Sequence, residues 1–329
     1  MSEIKSAGQA TSGNFVPPWN KLSVDVRPAT SANEVLALCR ADYDVILSPV
    51  QVENLVTGKF QTVKDRFVTG RLSLSTGVMD NWEVVKGRYE IIPNSTIAQK
   101  AISISNLPNY GLTIDRAGVL DNGRKFFVTL YEGSTSVNDV VYHHYLCVMT
   151  SHDGSSPITY YCIDVRQDTK SVIRLPSDEL VEWQMKKRHT PSAEDSLEEF
   201  TSAAKLRKDW TARFPDKVLE LQSANYGNSS KRLEEIFNRI WPEDQADTTR
   251  KMKHRTEIVS TVTRLYSSSH NLNKFGPTGL SLYNAICEYY DFNRHIEEVD
   301  AAQQSFEIDN YCHRKKIESH KSIVGGTDG

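Results

Sequence analysis

The sequence predicts an α+β protein, with an antiparallel β-sheet and flanking helices in the N-terminal half and a mainly helical C-terminal half. Three observations carry this. Short alternating apolar runs joined by Asn-Gly and Asp-Gly pairs crowd the chain before about Leu175. Beyond Pro176 the apolar period lengthens from two residues to three or four. The two regimes follow one another instead of alternating, which favours hairpin-linked strands over β-α-β units.

At 329 residues the chain can build one large core or two medium ones. Its composition divides it into a polar leader (1–20), a β-rich half (21–176), a helical half packed on it (177–322) and a short tail (323–329). The leader and the tail read as disordered. Hydrophobic residues make up 39% and charged residues 25%, ordinary values for a soluble globular protein. No apolar run approaches the roughly 18 residues of a membrane span. Met1 to Pro18 lacks the apolar core of a signal peptide, so a cytoplasmic location is expected.

Taken in order, Ser31 to Arg40 pairs a capping serine with one apolar face and reads as a short helix. Val45, Ile46, Leu47 and Val50 flank Pro49; proline cannot donate to a ladder, which makes this an edge strand. Arg66 to Ser75 and Trp82 to Ile92 are strand-like, the second stopped by Pro93-Asn94, and Ser95 to Ile102 is a helix capped by Asn94 or Ser95. Asn122-Gly123 places a hairpin within Gly118 to Leu130. Val140 to Met149 and Ile158 to Val165 form a second pair around Asp153-Gly154, with Val172 to Leu175 as an extension. The sheet should hold five to eight strands, its helices on one side. Helical spacing then recurs four times, around Leu197 to Trp210, Leu233 to Ile240, Ile258 to Tyr266 and Leu282 to Ile296. Pro215, Pro242 and Gly276-Pro277 read as breakers, and Gly325-Gly326 as a frayed end.

Five cysteines without C-x-x-C spacing (Cys39, Cys147, Cys162, Cys287, Cys312) argue against a disulfide framework or a zinc knuckle. Gly-x-Gly-x-x-Gly and Gly-x-x-x-x-Gly-Lys are both missing, which removes the standard phosphate-cradling loops. No cofactor is called for. The net charge of −3 conceals basic clusters at Lys186-Lys187-Arg188-His189, Arg250 to Arg255 and His313 to Lys316. Arg250, Lys251, Lys253 and Arg255 sit at the start of a helix, where the dipole disfavours cations. Lys186, Lys187 and Arg188 follow Trp183, and Arg88 precedes Tyr89. Each pairing offers a phosphate-neutralising charge beside a ring that can stack a base. The bland alternative for every cluster is a solvated surface.

The turn Ser151-His152-Asp153-Gly154-Ser155-Ser156 invites two readings. In the catalytic one His152 is a general base, Asp153 its orienting carboxylate or a metal ligand, and Ser155 a nucleophile. Adjacent turn residues do not readily converge on one atom, however, and the alternative is a structural turn whose side chains satisfy the backbone. His143-His144 on the preceding strand suggests a metal site, but neighbouring strand residues point to opposite faces, so no metal is assigned.

Ser151 to Ser156 with its following strand resembles the central signature of the phage and plasmid-like protein family described as domain of unknown function number 932. Val85 to Asn94, Ala117 to Phe127, Arg188-His189-Thr190 and Leu282 to Asp291 resemble other segments of that family, in the same order. One departure is Arg166-Gln167-Asp168-Thr169, where the family usually carries Cys-x-Asn-Thr. The resemblance implies a mixed α/β fold and a gene of a tailed bacteriophage, prophage or plasmid, hence a location in the host bacterium's cytoplasm; it brings no established activity.

The leading expectation is a non-enzymatic protein of phage DNA metabolism that binds single-stranded DNA or RNA in replication or recombination, with replication or recombination proteins as further partners. Two alternatives stand beside it: a metal-dependent or His/Asp-based hydrolase, and a host-interaction or assembly protein. The homo-oligomeric state stays open.

Overall fold

The computed structural model describes residues 5–6, 15–72, 79–177, 182–187, 197–225, 230–243, 248–294 and 298–325. Its centre is an antiparallel sheet. The strands β1 (Lys5–Ser6), β2 (Val24–Asp25), β6 (Thr113–Leu120), β7 (Lys125–Val137), β8 (Val140–Ser151), β9 (Ile158–Arg166), β10 (Val172–Ile173) and β11 (Gln184–Lys187) follow the order β10-β9-β8-β7-β6-β2, with β1 paired to β7 and β11 to β9. A second antiparallel sheet comprises β3 (Val45–Glu53), β4 (Phe60–Leu72) and β5 (Met79–Lys86), with β4 in the middle.

Local chemistry sets the central hairpins. Asn122 and Gly123 take positive φ (55° and 90°) and turn β6 into β7. Asn138 and Asp139, both at positive φ, join β7 to β8 as a primed turn would. The 153–157 turn then connects β8 to β9. Along β7, Phe126, Val128 and Leu130 pack on one face beneath α1 (Ala32–Cys39) and α2 (Asn94–Ser105), while Phe127 and Tyr131 belong to the core on the other face. Helices therefore cover both faces, not one, which is why every residue of β9 is buried. Helix α1 starts in a capping box: Ser31 Oγ accepts from Glu34 N, and Glu34 Oε2 accepts from Thr30 N at 2.7 Å.

The C-terminal helices are α3 (Leu197–Ser223), α4 (Ser230–Ile240), α5 (Thr249–Tyr266), α6 (Leu272–Phe275), α7 (Gly279–Glu288), α8 (Glu298–Phe306) and α9 (Tyr311–Val324). A single π-helical turn, Tyr289–Asn293, continues α7. Pro215, expected to break a helix, lies inside α3. Trp210, Phe214, Val218 and Leu221 are all buried along that helix, and their packing outweighs the lost hydrogen bond. The leader also ends sooner than its composition suggests. Pro18–Leu22 forms a 3-10 turn, and Trp19 is fully buried against Tyr145 and Phe306. At the other end α9 runs through the buried Ile323 to Val324, while Gly326 to Gly329 lie outside the described residues.

Buried charge stitches the helical half to the sheet. Asp164 on β9 accepts from Arg207 (2.8 Å) and Trp210 (2.7 Å) of α3 and bonds His144 Nδ1 of β8 (2.7 Å). Burial alone would raise the Asp164 carboxyl, but the Arg207 guanidinium and the His144 and Trp210 bonds hold it at about 2. Lys100 of α2, fully buried, pairs with Glu199 of α3. Lys316 of α9 pairs with Asp291 at 2.5 Å. Arg166 donates to Asn271 and the His270 carbonyl and so ties β9 to the region of α6 and α7. The five cysteines are buried and free. No helix among the described residues is long and apolar enough to cross a membrane.

Candidate nucleic-acid interface

The 151–156 turn is anchored from inside. His152 is fully buried; its N–H donates to Arg124 O (2.7 Å) and its ring stacks on Trp82 of β5. Asn94 Nδ2 donates to Ala41 O, so Asn94 Oδ1 faces His152 Nε2 at 2.7 Å and that nitrogen is assigned the proton. Nε2 is thus a donor to Asn94 instead of a base poised for substrate. Asp153 Oδ1 accepts from Ser155 N (2.9 Å), an Asx turn. Ser151 Oγ closes the loop, donating to Ser156 O and accepting from Ser156 N. His152, Asp153 and Ser155 therefore serve separate local contacts and do not converge on a common point.

The outer side of the turn meets the second sheet. Gly154 has φ of +73°, and a Cβ there would lie 3.3 Å from Val85 Cγ1 and close to the Tyr89 ring, so both conformation and space favour glycine. Tyr89 donates its hydroxyl to Ser151 O at 2.8 Å, and burial raises its phenol above the ordinary range. Arg88 and Tyr89 lie just beyond β5, in and after a turn, and not on the strand as expected. Their cleft, 490 Å³, runs along Val84, Val85, Lys86, Arg88 and Tyr89 to the turn residues. A second hollow of 450 Å³ shares Lys86 and Arg88 and adds Lys64, Asp65 and Arg66 of β4.

Four cations, Lys64, Arg66, Lys86 and Arg88, line these adjoining hollows; all are exposed, and among the described residues none of the four side chains makes a hydrogen bond or ion pair. Arg66 and Lys86 are directly opposed in the β4–β5 register, a like-charge arrangement that costs stability. The nearby Asp65 carboxylate accepts from Gly87 N at 3.0 Å. Among these four, sequence reasoning found only Arg88. Lys64, Arg66 and Lys86 lie about twenty residues apart in two runs, and only the strand register brings them together. The signal that would have found them is the β4–β5 pairing.

The other expected contacts divide. On the far side of the turn Lys186 pairs with Asp309 (2.6 Å), and Lys125 with Asp121 and Glu307. Lys187 pairs with Glu199, and Arg188 lies outside the described residues. Trp183 offers no stacking surface: it is 7% exposed and packs edge-on against His313. Arg250, Lys251 and Lys253 are exposed on the first turns of α5, whereas Arg255 bonds the Trp241 carbonyl, Asn238 and Glu243 and so fastens α5 to the end of α4. The α5 cluster and the cleft share no lining residue in the cavities described. His143 lies between Tyr131, Gln167 and the stacked Phe15, and His144 between Asp164 and Thr135; the two rings diverge. Among the described residues no three His, Cys, Asp or Glu side chains gather as metal ligands would.

No curated protein and no solved structure matches the chain. The model of one family, described as Domain of unknown function (DUF932), matches residues 81–314, from β5 into α9. That span holds the turn, Lys86 and Arg88, while β3 and β4, with Lys64 and Arg66, precede it. The chain belongs to the DUF932 family.

Proposed function

We propose that this is a non-enzymatic, phage-encoded protein of DNA metabolism that binds single-stranded nucleic acid along the cleft between the 151–156 turn and the second sheet. One observation carries the reading: four exposed cations without acidic partners line adjoining hollows, two of them opposed across a strand pair. An evenly spaced polyanion would relieve that repulsion, with phosphates on Lys64, Arg66, Lys86 and Arg88 and a base against the half-buried Tyr89 ring. The lysines at 186 and 187 are neutralised and leave this interface.

Fluorescence anisotropy with a labelled single-stranded oligonucleotide tests it. Four neutralised phosphates give a log–log salt slope of about −3, or roughly 50-fold weaker binding on going from about 50 mM to about 200 mM salt. Failure to bind at the lower salt, or an affinity indifferent to salt, overturns the proposal.

A second reading, that of an assembly protein, is favoured by the tip of the second sheet. Val52, Leu55, Val56 and Phe60 are 55–94% exposed there, an apolar cluster that a monomer has reason to cover. It calls for concentration-dependent self-association in the ultracentrifuge that Leu55→Ser with Val56→Ser removes. A monomer at every concentration contradicts it.

A further inference from the structure

A cavity of 570 Å³ lies apart from the cleft and shares no residue with it. Its apolar wall comes from Val16, Pro17 and Pro18 at the entry to the first 3-10 turn, from Ala301 and Ala302 of α8, and from Phe292, whose side chain is half exposed. Its polar side carries Asp291 and Ser305 together with three cations, Lys21, Lys170 and Arg294. The volume suits a small organic molecule. Asp291 and Phe292 belong to the π-helical turn, a backbone form concentrated at functional sites.

The charges on this wall do not cancel. Asp291 is neutralised from within: Oδ1 accepts from Lys316 Nζ and Ser305 Oγ, each at 2.5 Å, and Oδ2 accepts from Val172 N at 2.8 Å. Arg294 lies over the Tyr311 ring and uses Nη1 on Gln304 Oε1 and Cys312 Sγ, and no acid pairs with it. Among the described residues the side chain of Lys170, in the turn from β9 to β10, makes no hydrogen bond or ion pair. On the cavity wall Arg294 is partly buried and Lys170 exposed, and among the described residues neither side chain has a carboxylate partner. A dianion would balance them, and a guanidinium fork with an ammonium suits a phosphate group. Phe292 and the proline-rich wall suit a flat ring.

We infer that this cavity binds a phosphorylated nucleoside, its phosphate held by Lys170 and Arg294 and its base on the Phe292 side. The nucleotide is either free or the 5′-phosphorylated end of a strand. This site is independent of the strand-binding cleft.

Isothermal titration of the intact protein with adenosine 5′-monophosphate, adenosine and inorganic phosphate is the test. The nucleotide binds saturably; adenosine and phosphate alone bind at least about tenfold more weakly. Lys170→Gln and Arg294→Gln each weaken nucleotide binding by about tenfold or more, and Ala302→Phe, which fills the cavity without touching a charge, abolishes it. Arg88→Gln leaves it unchanged, which separates this site from the cleft. Oligonucleotides with and without a 5′-phosphate name the source: tighter binding of the phosphorylated strand than of the mononucleotide points to strand ends, and the reverse to the free nucleotide. No saturable nucleotide binding, phosphate binding as tightly as the nucleotide, or binding indifferent to all three cavity variants overturns the inference.

Discussion

The two sheets of this protein treat charge in opposite ways. In the central sheet β8 and β9 are buried on both faces, and the ionised groups there are paired: Asp164 with Arg207 and His144, Arg166 with Asp168. The three-stranded sheet is mostly exposed, and only its root, around Thr69, Trp82 and Val85, is buried. There Lys64, Arg66, Lys86 and Arg88 face solvent and none of them forms an ion pair among the described residues, the neighbouring Asp65 accepting from Gly87 N. Charge in the interior is paired with an opposite charge or, as at Arg174, held by several backbone carbonyls, because a buried ion without partners is too costly to keep. Charge on the outlying sheet is under no such constraint, so a set without ion pairs there costs the fold little and is accessible to a ligand.

That contrast breaks most visibly at Asp164. Asp164→Ala leaves Arg207 buried without its closest carboxylate and should cost about 3–5 kcal/mol by urea denaturation. The same charge removal at Lys86→Ala, on the outlying sheet, should stay within about 0.5 kcal/mol. Equal losses at the two sites would dissolve the distinction.

Acid should produce a loss of comparable size. Burial holds His143 and His320 at about 4 and His313 at about 2, below the usual 6.5. The unfolded chain therefore takes up protons first as pH falls. Stability is complete above about pH 6.5 and declines from there towards pH 4. Burial raises Asp115 to about 6, which acts in the opposite sense between about pH 6 and 3.8 and offsets one histidine. Asp164 adds its loss only below about 3.8. Chemical denaturation at stepped pH checks the sign: stability that rises from pH 6.5 to 4.5 contradicts the assignment.

His152→Ala should cost about 1–3 kcal/mol, because it leaves the buried Asn94 amide oxygen without its donor and removes a ring from beneath Trp82. Trp82 belongs to the outlying sheet, so its fluorescence should change as well. An unchanged stability would return His152 to the list of functional candidates. The smallest effect is expected at the tip. Leu55→Ser with Val56→Ser should shift stability by no more than about 0.5 kcal/mol, and amides near Val52 and Phe60 should exchange far faster than those of β8.

Much of this architecture is legible in the chain. Asn122-Gly123 and Asp153-Gly154 mark two central turns because left-handed backbone demands those residues, and the change of period after Pro176 marks the helical half. Pro215 misleads because propensity is local, whereas the packing of Trp210, Phe214 and Val218 that overrides it is not. Trp19 misleads for the same reason, one buried indole in a polar leader. At the candidate site the signature turn is readable and Arg88 with it, but clustering along the chain proved a poor guide to clustering in space. Lys187 and Arg255 sit in dense basic runs and are paired, whereas Lys64, Arg66 and Lys86 are scattered in sequence and meet through strand register.

The central claim is that the cleft beside the 151–156 turn, and not the α5 cluster, meets nucleic acid. The most direct measurement compares the salt dependence of single-stranded DNA binding for three proteins: wild type, Lys64→Gln/Arg66→Gln/Lys86→Gln/Arg88→Gln, and Arg250→Gln/Lys251→Gln/Lys253→Gln. The first set of substitutions should lower the log–log slope by about 3, and the second should leave it close to the wild-type value. A slope lost only with the α5 substitutions, or unchanged by the cleft substitutions, would contradict it.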